Sequence, residues 1–498
     1  MTTHGLVLLG ILFSSFFTGL VIFFLREDNH RLRVWLNLLG AGLKLILVAA
    51  LLWGIHQGYH YQLSFDFLPG LPFSLGADAN SVLFVTLSSF LWFWTTLYAV
   101  GYLEDSPHRS RFFGFFSLCV TATTGIALSA NLVTFLVFYE LLTVSTYPLV
   151  VHRGTPQAMR GGKIYLAYTL AGGAVLLLAV AWFHSLAGPV PFKERGVVQT
   201  LIAARPNELR VLFFLFILGI GVKAAIVPLH GWLPRAMVAP APVSALLHAV
   251  AVVKAGAFGI MRVVYDVYGV ENAAKLGLMQ PLALAATVTI VYGSTLALFQ
   301  DELKKRLAFS TVSQVSYIVL GVAILGPIST IGGLVHLVHQ GIMKITLFFC
   351  AGNYAETVGI HRVSEMNGVG RRMPWTTAAF SVAALGMIGV PLLAGAVTKQ
   401  YLKLGAEQAG APWVGWVLAA SSLLNAAYFL PILWRAWIKE PPARWPVEHH
   451  FGRWETHWML LLPPLVTAAL VVWAGIFAES SFSPLAWVKL IAAREFAP

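Results

Sequence analysis

Apolar runs of about twenty residues recur along the whole chain, separated by short polar breaks. A helix needs about 20 apolar residues to cross the hydrocarbon core of a bilayer. Fourteen segments meet that length, at 5–25, 35–54, 79–103, 111–128, 131–151, 164–187, 210–229, 242–267, 277–299, 308–325, 328–352, 375–401, 412–437 and 458–478. The pattern predicts an all-α polytopic membrane protein with about 14 transmembrane helices. The first run is too long for the core of a cleaved leader, has no basic stretch before it and no A-x-A site after it. Arg26, Arg31 and Arg33 follow it, as expected of a retained helix ending on the inside. Two connections break the rhythm. Residues 55–78 alternate apolar and polar positions around Pro69-Gly70 and predict a β-hairpin. Residues 188–209 carry prolines and charges and are expected on the surface.

Composition agrees and narrows the class. Of 498 residues, 58% are hydrophobic and only 11% charged, too few to solvate a soluble protein of this size. The net charge of +12 does not mark a nucleic-acid partner, because alternating fourteen spans from an outside N-terminus places 19 of the 33 Lys and Arg residues on the inner side and nine on the outer. Both termini are then outside, in a bacterial or archaeal cell membrane. Cys119 and Cys350 are isolated within apolar runs and cannot form a paired redox motif or an iron–sulfur site. No phosphate loop, GxGxxG unit or HExxH motif occurs, so no cofactor is expected.

Ionisable residues inside the runs are costly, at about 2.5–3.5 kcal/mol each even on the mildest scale. Glu140 lies in the fifth span and Lys223 in the seventh, five residues before Pro228. Lys254 is in the eighth, His336 and His339 share a helix face in the eleventh, and Lys399 follows Gly389, Pro391 and Gly395 in the twelfth. Proline removes a backbone hydrogen bond, so the seventh and twelfth spans are expected to be broken, with freed carbonyls that admit water. Removing a lysine from water brings its two protonation states closer in free energy, and a movable carboxylate tips the balance. Glu140, Lys223, Lys254, His336, His339 and Lys399 are therefore the candidate proton-transfer residues. His230, His248, Lys344 and Lys163 are secondary candidates.

Plainer readings exist for each. A Glu140–Lys223 ion pair could only fix helix register. His230 and His248 could be satisfied core histidines, Lys44 and Lys344 could snorkel to an interface, and the Gly and Pro breaks could be packing devices. Glu448, His449, His450 and His457 have the composition of a metal set, but sit in a polar loop. Five lysines and a glutamate at membrane depth are many for architecture alone.

The stretch GVKAAIVPLHGWLPRAMVAPAPVSALLHAVAVVKAG at 221–256 resembles the signature of the antiporter-like membrane subunits of respiratory complex I, Mrp-type multisubunit cation/proton antiporters and membrane-bound hydrogenases. NLVTFLVFYELLTVSTYPLV, QDELKKRLAFSTVSQVSYIVLG, HLVHQGIMKITLFFCAGN and GYLEDSPHRSRFFGFFSL are similar to further stretches of that family. The resemblance implies two inverted five-helix repeats with broken helices seven and twelve. The chain then divides into 1–110 (three helices and the hairpin), 111–270 (first repeat), 271–437 (second repeat) and 438–498 (a loop, the fourteenth helix and a short tail). It also implies roles for Glu140 and Lys223 as partners, for Lys254 as central carrier, for His336 and His339 as the links onward and for Lys399 as exit residue. Met237, Gln314 and Ala79 replace residues usual in the family. Lysine at 399, and a tail too short for a long lateral helix, favour the D-type Mrp subunit.

The expected function is proton translocation within a larger membrane complex, with no catalytic site of the chain's own. Other integral membrane subunits and lipid are the partners, H+ is the ion carried, and any Na+ or K+ exchange belongs to partner subunits. Rival readings are a proton-pumping subunit of a redox complex or hydrogenase, a haem- or metal-binding membrane enzyme, and a scaffold with an inactive path.

Overall fold

The structure, a computed structural model, describes residues 3–103 and 106–496. Glu104 and Asp105 of the stretch GYLEDSPHRSRFFGFFSL lie outside them. Among the described residues, twelve helices are long and apolar enough to cross a membrane. The two remaining predicted spans are the interrupted ones. The seventh is helical over Pro206–Lys223 and resumes only as short turns from Leu229 to Val238. The twelfth is split into Pro374–Ile388 and Ala394–Gln408. Fourteen spans result, as the hydrophobic pattern predicts. Each break holds a non-glycine residue in the left-handed region, Ala225 at φ 56° and Leu392 at φ 68°. Such residues are uncommon and mark positions the surrounding fold constrains.

Boundaries move where caps were overlooked. The sixth span begins at Pro156, eight residues before its predicted start, because Thr155 caps it by accepting from the Ala158 N–H and Pro156 occupies the first turn. The eighth span, Ala241–Tyr268, contains π-helical stretches at Leu246–Val250 and Val263–Tyr268. A further helix, Pro484–Glu495, follows the fourteenth span and is capped by Ser483.

The hairpin forms as predicted. Strand β1 (Gln62–Leu68) pairs antiparallel with β2 (Leu71–Gly76) around Pro69-Gly70. It is anchored to the start of the fifth span. The Ser74 N–H donates to the Thr134 hydroxyl at 2.9 Å, and the Asn131 amide donates to the Pro72 carbonyl at 2.8 Å. The connection at 188–209 is mostly exposed or half-buried, as expected, and is pinned to its neighbours by backbone hydrogen bonds. The Phe192 N–H bonds the Ala130 carbonyl, the Lys193 N–H the Asp266 carbonyl and the Val197 N–H the Val267 carbonyl, and Val198 is buried. Backbone polar groups near apolar surroundings must be paired, and this segment pairs them with neighbouring span ends.

The chain forms two compact units. The first comprises residues 1–96, 105–224 and 250–279, the second residues 97–104, 225–249 and 280–498. In the first, the fourth span packs on the first and fifth, and the sixth on the seventh. In the second, the eleventh span (Pro327–Val358) is central. It contacts the tenth, twelfth and fourteenth spans and the C-terminal helix, and its apolar window is buried along its whole length.

Candidate functional site

In the first unit the fifth span carries the acid. Its N-cap, Asn131, accepts from the Thr134 N–H at 2.7 Å, and the helix runs over Leu132–Val150. Lys223 is the last residue of the first half of the seventh span. It is fully buried. Its ammonium donates to the Tyr139 carbonyl at 2.5 Å and lies 3.3 Å from the centre of the Tyr139 ring. The Tyr139 hydroxyl in turn donates to the Ile220 carbonyl at 3.2 Å, so one tyrosine serves both the lysine and a carbonyl next to the break. The Glu140–Lys223 ion pair expected from sequence is absent among the ion pairs of the described residues. Lys223 is satisfied instead by a carbonyl dipole and a ring face. Successive helix residues point about 100° apart, and the Glu140 side chain turns to the sixth span. There its carboxylate packs against Gly173, where a methyl group would stand 2.6 Å from Cδ and 2.7 Å from Oε2. Lys254, on the eighth span, is fully buried in the same unit.

In the second unit, Lys399 reaches back across the twelfth-span break. Its ammonium donates to the Ile388 carbonyl at 2.6 Å, the Met387 carbonyl at 3.4 Å and the Ser422 hydroxyl at 2.6 Å. These carbonyls end the first half-helix, where the backbone dipoles favour a cation. Gly389, at φ 97°, lies under the lysine stem, and a side chain there would meet Lys399 Cδ at 2.8 Å. His339 Nδ1 is 3.1 Å from the hydroxyl of Thr398, next to Lys399. His336 instead stacks on Tyr317 of the tenth span, with ring centres 5.1 Å apart. The two histidines therefore meet different neighbours despite their helical spacing.

The secondary candidates divide. Lys344 does not snorkel. It is fully buried, donating to the Ser310 hydroxyl at 2.6 Å and the Leu307 carbonyl at 3.2 Å. His248 is buried and stacked on Phe348 at 4.4 Å. His230 is half-buried, with its ring 5.1 Å from that of Tyr292. Lys163 is exposed near the start of the sixth span. In the 448–457 loop, Glu448 lies 3.9 Å from His450. Glu448 pairs with Arg372 at 3.1 Å, and His457 accepts from the Met459 N–H at the start of the fourteenth span.

Two polar clusters escaped the sequence reading. Lys44 is fully buried rather than snorkelling. Its ammonium donates to the Ser15 and Thr124 hydroxyls at 2.8 and 2.7 Å, and the Trp92 ring lies 5.3 Å away. Arg262 lies in the eighth span and is only 1% exposed. It bonds Asp78 through both terminal nitrogens, at 2.5 and 2.9 Å, Asp266 at 2.8 Å and Ser81 at 2.5 Å. Burial would raise the Asp78 carboxyl, but the Arg262 charge and hydrogen bonds hold it below the usual carboxylate range. Spacing along the chain marks only the Arg262–Asp266 pair, which is i,i+4 on one helix; Asp78, Ser81 and the hydroxyl partners of Lys44 come from elsewhere in the sequence.

Comparison with known proteins decides the family. The model for "NADH:quinone oxidoreductase/Mrp antiporter, TM" matches residues 129–425. This chain belongs to that family. NADH-quinone oxidoreductase subunit N of Desulforudis audaxviator is 34% identical over 410 residues, covering 80% of this chain and 81% of the relative. The A/B component of a probable K+/H+ antiporter of Rhizobium meliloti is 30% identical over 438 residues, covering 85% of this chain and 42% of the relative, so the chain spans less than half of that longer protein. Among solved structures, a chain of the Mrp complex from Dietzia sp. superposes with a TM-score of 0.86 at 23% identity, covering 100% of this chain and 98% of that one. The NADH:quinone oxidoreductase/Mrp antiporter family model covers the central part of the chain, the likeness of fold extends along its whole length, and the relatives are subunits of multisubunit membrane complexes. The chain is an integral membrane protein.

Proposed function

We propose that this chain is the proton-translocating subunit of a multisubunit complex in a bacterial or archaeal cell membrane, most like the D-type subunit of a cation/proton antiporter. The observation that carries the reading is the placement of two lysines at the two helix breaks, Lys223 fully buried and Lys399 half-buried, each held by backbone carbonyls rather than by a carboxylate. An ammonium solvated by neutral dipoles can lose its proton without leaving a buried anion behind. In the first unit, Glu140 takes or delivers a proton beside the sixth span, Lys223 exchanges it at the break, and Lys254 is the central carrier. In the second unit, His336, His339 and Lys344 lie on the eleventh span, and Lys399 is the exit group. Both termini lie outside, and Na+ or K+ exchange takes place in partner subunits. The test is proton transport by vesicles containing the whole complex. Glu140→Ala and Lys254→Ala are expected to abolish coupled transport while the complex assembles, and normal transport in either variant contradicts the assignment of that residue.

A second reading, the proton-pumping subunit of a quinone-reducing complex, is favoured by the extent of similarity to subunit N of an NADH-quinone oxidoreductase, which covers four-fifths of both chains. Purification of the complex through a tag on this chain separates the two. Co-purifying redox subunits with quinone reductase activity favour the pump, whereas cation-dependent ΔpH collapse without redox activity favours the antiporter. The two native cysteines are buried, so introduced single cysteines near either terminus report its side by reaction with an impermeant thiol reagent.

A further inference from the structure

In the second unit, a chain of hydrogen bonds leads from Lys344 to the twelfth-span break without using either histidine. The Lys344 ammonium donates to Ser310 at 2.6 Å. Ser310 and the Tyr428 hydroxyl are 2.8 Å apart, and Tyr428 donates to Asn425 Oδ1 at 2.5 Å. The Asn425 amide donates to the Met387 carbonyl at 3.0 Å. That carbonyl also accepts from Lys399. Ser310, Lys344, Asn425 and Tyr428 are all buried.

The donor direction is fixed at both ends. An ammonium only donates, and a carbonyl only accepts. Turning the Asn425 amide over would set its oxygen against the Met387 oxygen, acceptor on acceptor. Its oxygen therefore faces Tyr428 and takes the phenolic proton, which leaves Tyr428 to accept from Ser310 and Ser310 to accept from Lys344. Every bond points from Lys344 towards the break. A buried tyrosine hydroxyl needs only one partner to be satisfied. Here it lies in a series whose two ends are lysines.

We propose that Ser310 and Tyr428 carry the Lys344 proton towards Lys399, with Asn425 as the positioning residue that aims Tyr428 at the break. The inference rests on the proton-translocating function proposed above. An N–H bond breaks at Lys344 as its proton passes to Ser310. The Ser310 proton passes to Tyr428, and the Tyr428 proton passes to a water molecule at the freed carbonyls. That water gives a proton to the neutral Lys399 amine, where the new N–H bond forms. Each hydroxyl ends with one proton, and no electrons change hands. An amide is too weak a base to take the proton itself, so Asn425 holds the phenol at rest and interrupts the wire until the hydroxyl turns to the water. Arg306 donates to the Tyr428 carbonyl at 3.0 Å. It supplies a fixed charge beside the series that does not exchange protons.

The test uses the whole complex in native membrane vesicles, with its amount measured by immunoblot. Tyr428→Phe keeps the ring and removes one hydroxyl. It is expected to lower the rate of proton transport by about 100-fold at unchanged complex level, the low end of what a positioned proton-transfer group contributes. Ser310→Ala should act alike. Asn425→Asp places a proton acceptor in the series and should add a titration to the pH–rate profile, while Asn425→Leu lowers the rate and leaves the profile unchanged. A network that only braces the spans gives wild-type rate and profile in every assembled variant, and that outcome overturns the inference. If Tyr428→Phe reduces the complex level, the Asn425→Asp profile decides: a new titration supports the relay, its absence refutes it. A wild-type complex that moves no protons would refute the proposed function instead.

Discussion

Gly173→Ala tests the Glu140 assignment without touching Glu140. The added methyl would stand 2.6 Å from the carboxylate carbon, whereas ordinary contact begins near 3.4 Å. The carboxylate must therefore retreat by about 0.8 Å or turn to another rotamer, a shift its flexible stem allows at little energetic cost. Alanine is also the better helix former by about 1 kcal/mol, so the complex should assemble at its normal level. A misplacement near 1 Å of a reacting group can lower a rate by about 100-fold, and proton transport should fall by between about tenfold and that limit. The control is one residue away. At Gly172 a methyl meets Val222 Cγ2 at 2.7 Å and the Gly219 carbonyl oxygen at 3.0 Å, so backbone must move. Overpacking of that kind costs about 1–3 kcal/mol, and Gly172→Ala should lower the amount of complex rather than the rate per complex. The assay is dye-reported acidification of inverted vesicles, normalised to complex content. Gly173→Ala with full transport per complex, or with the same assembly loss as Gly172→Ala, would refute a proton role for Glu140 at this position.

Lys399→Arg keeps a cation over the Ile388 carbonyl but cannot release its proton, so transport should stop while assembly persists; full activity in Lys399→Arg or Lys399→Leu would rule out a protonation gate. Arg262→Met leaves Asp78 and Asp266 without their shared partner, and losing one member of a buried charge cluster costs about 3–5 kcal/mol, read as a lower thermal midpoint of the detergent-solubilised complex. His152, in the turn after the fifth span, is pushed down to about 4 by burial and by the nearby Arg111, His108 and Arg153. The unfolded chain binds this proton near pH 6.5. The contribution of His152 to stability is therefore complete above pH 6.5 and is lost as pH falls towards 4. His152→Phe should flatten the dependence of thermal stability on pH in that window.

The sequence made most of the architecture legible because a bilayer imposes one strong rule, a length of apolar helix, on every span. Both breaks were marked by Pro228 and by Gly389 with Pro391. The left-handed residues that complete them, Ala225 and Leu392, carry no such mark, since neither alanine nor leucine favours that conformation. Charged candidates were visible as exceptions in apolar runs, but their partners were not. Opposite charges such as Glu140 and Lys223 invite pairing on paper. In the fold, the Tyr139 carbonyl and ring, one residue from the acid, take the lysine. Asn425 and Tyr428 were passed over because single polar residues in a tryptophan-rich helix read as packing, and only the arrival of Ser310 and Lys344 from other spans gives them a further meaning.

The eleventh span has a consequence for how the chain is made. The first two spans are the most apolar and leave much of their surface outside the protein's own core, whereas Pro327–Val358 is among the less apolar and is enclosed by protein throughout its window. With His336, His339, Gln340, Lys344 and Asn353 along it, this helix has little reason to leave an insertion channel for lipid on its own. The twelfth and fourteenth spans and the C-terminal helix that enclose it are synthesised after it. Its entry into the bilayer must therefore wait for helices that do not yet exist when it emerges. Nascent chains halted soon after residue 358 should remain at the channel or be degraded, and this late, collective insertion step makes the C-terminal third of the protein a determinant of its biogenesis.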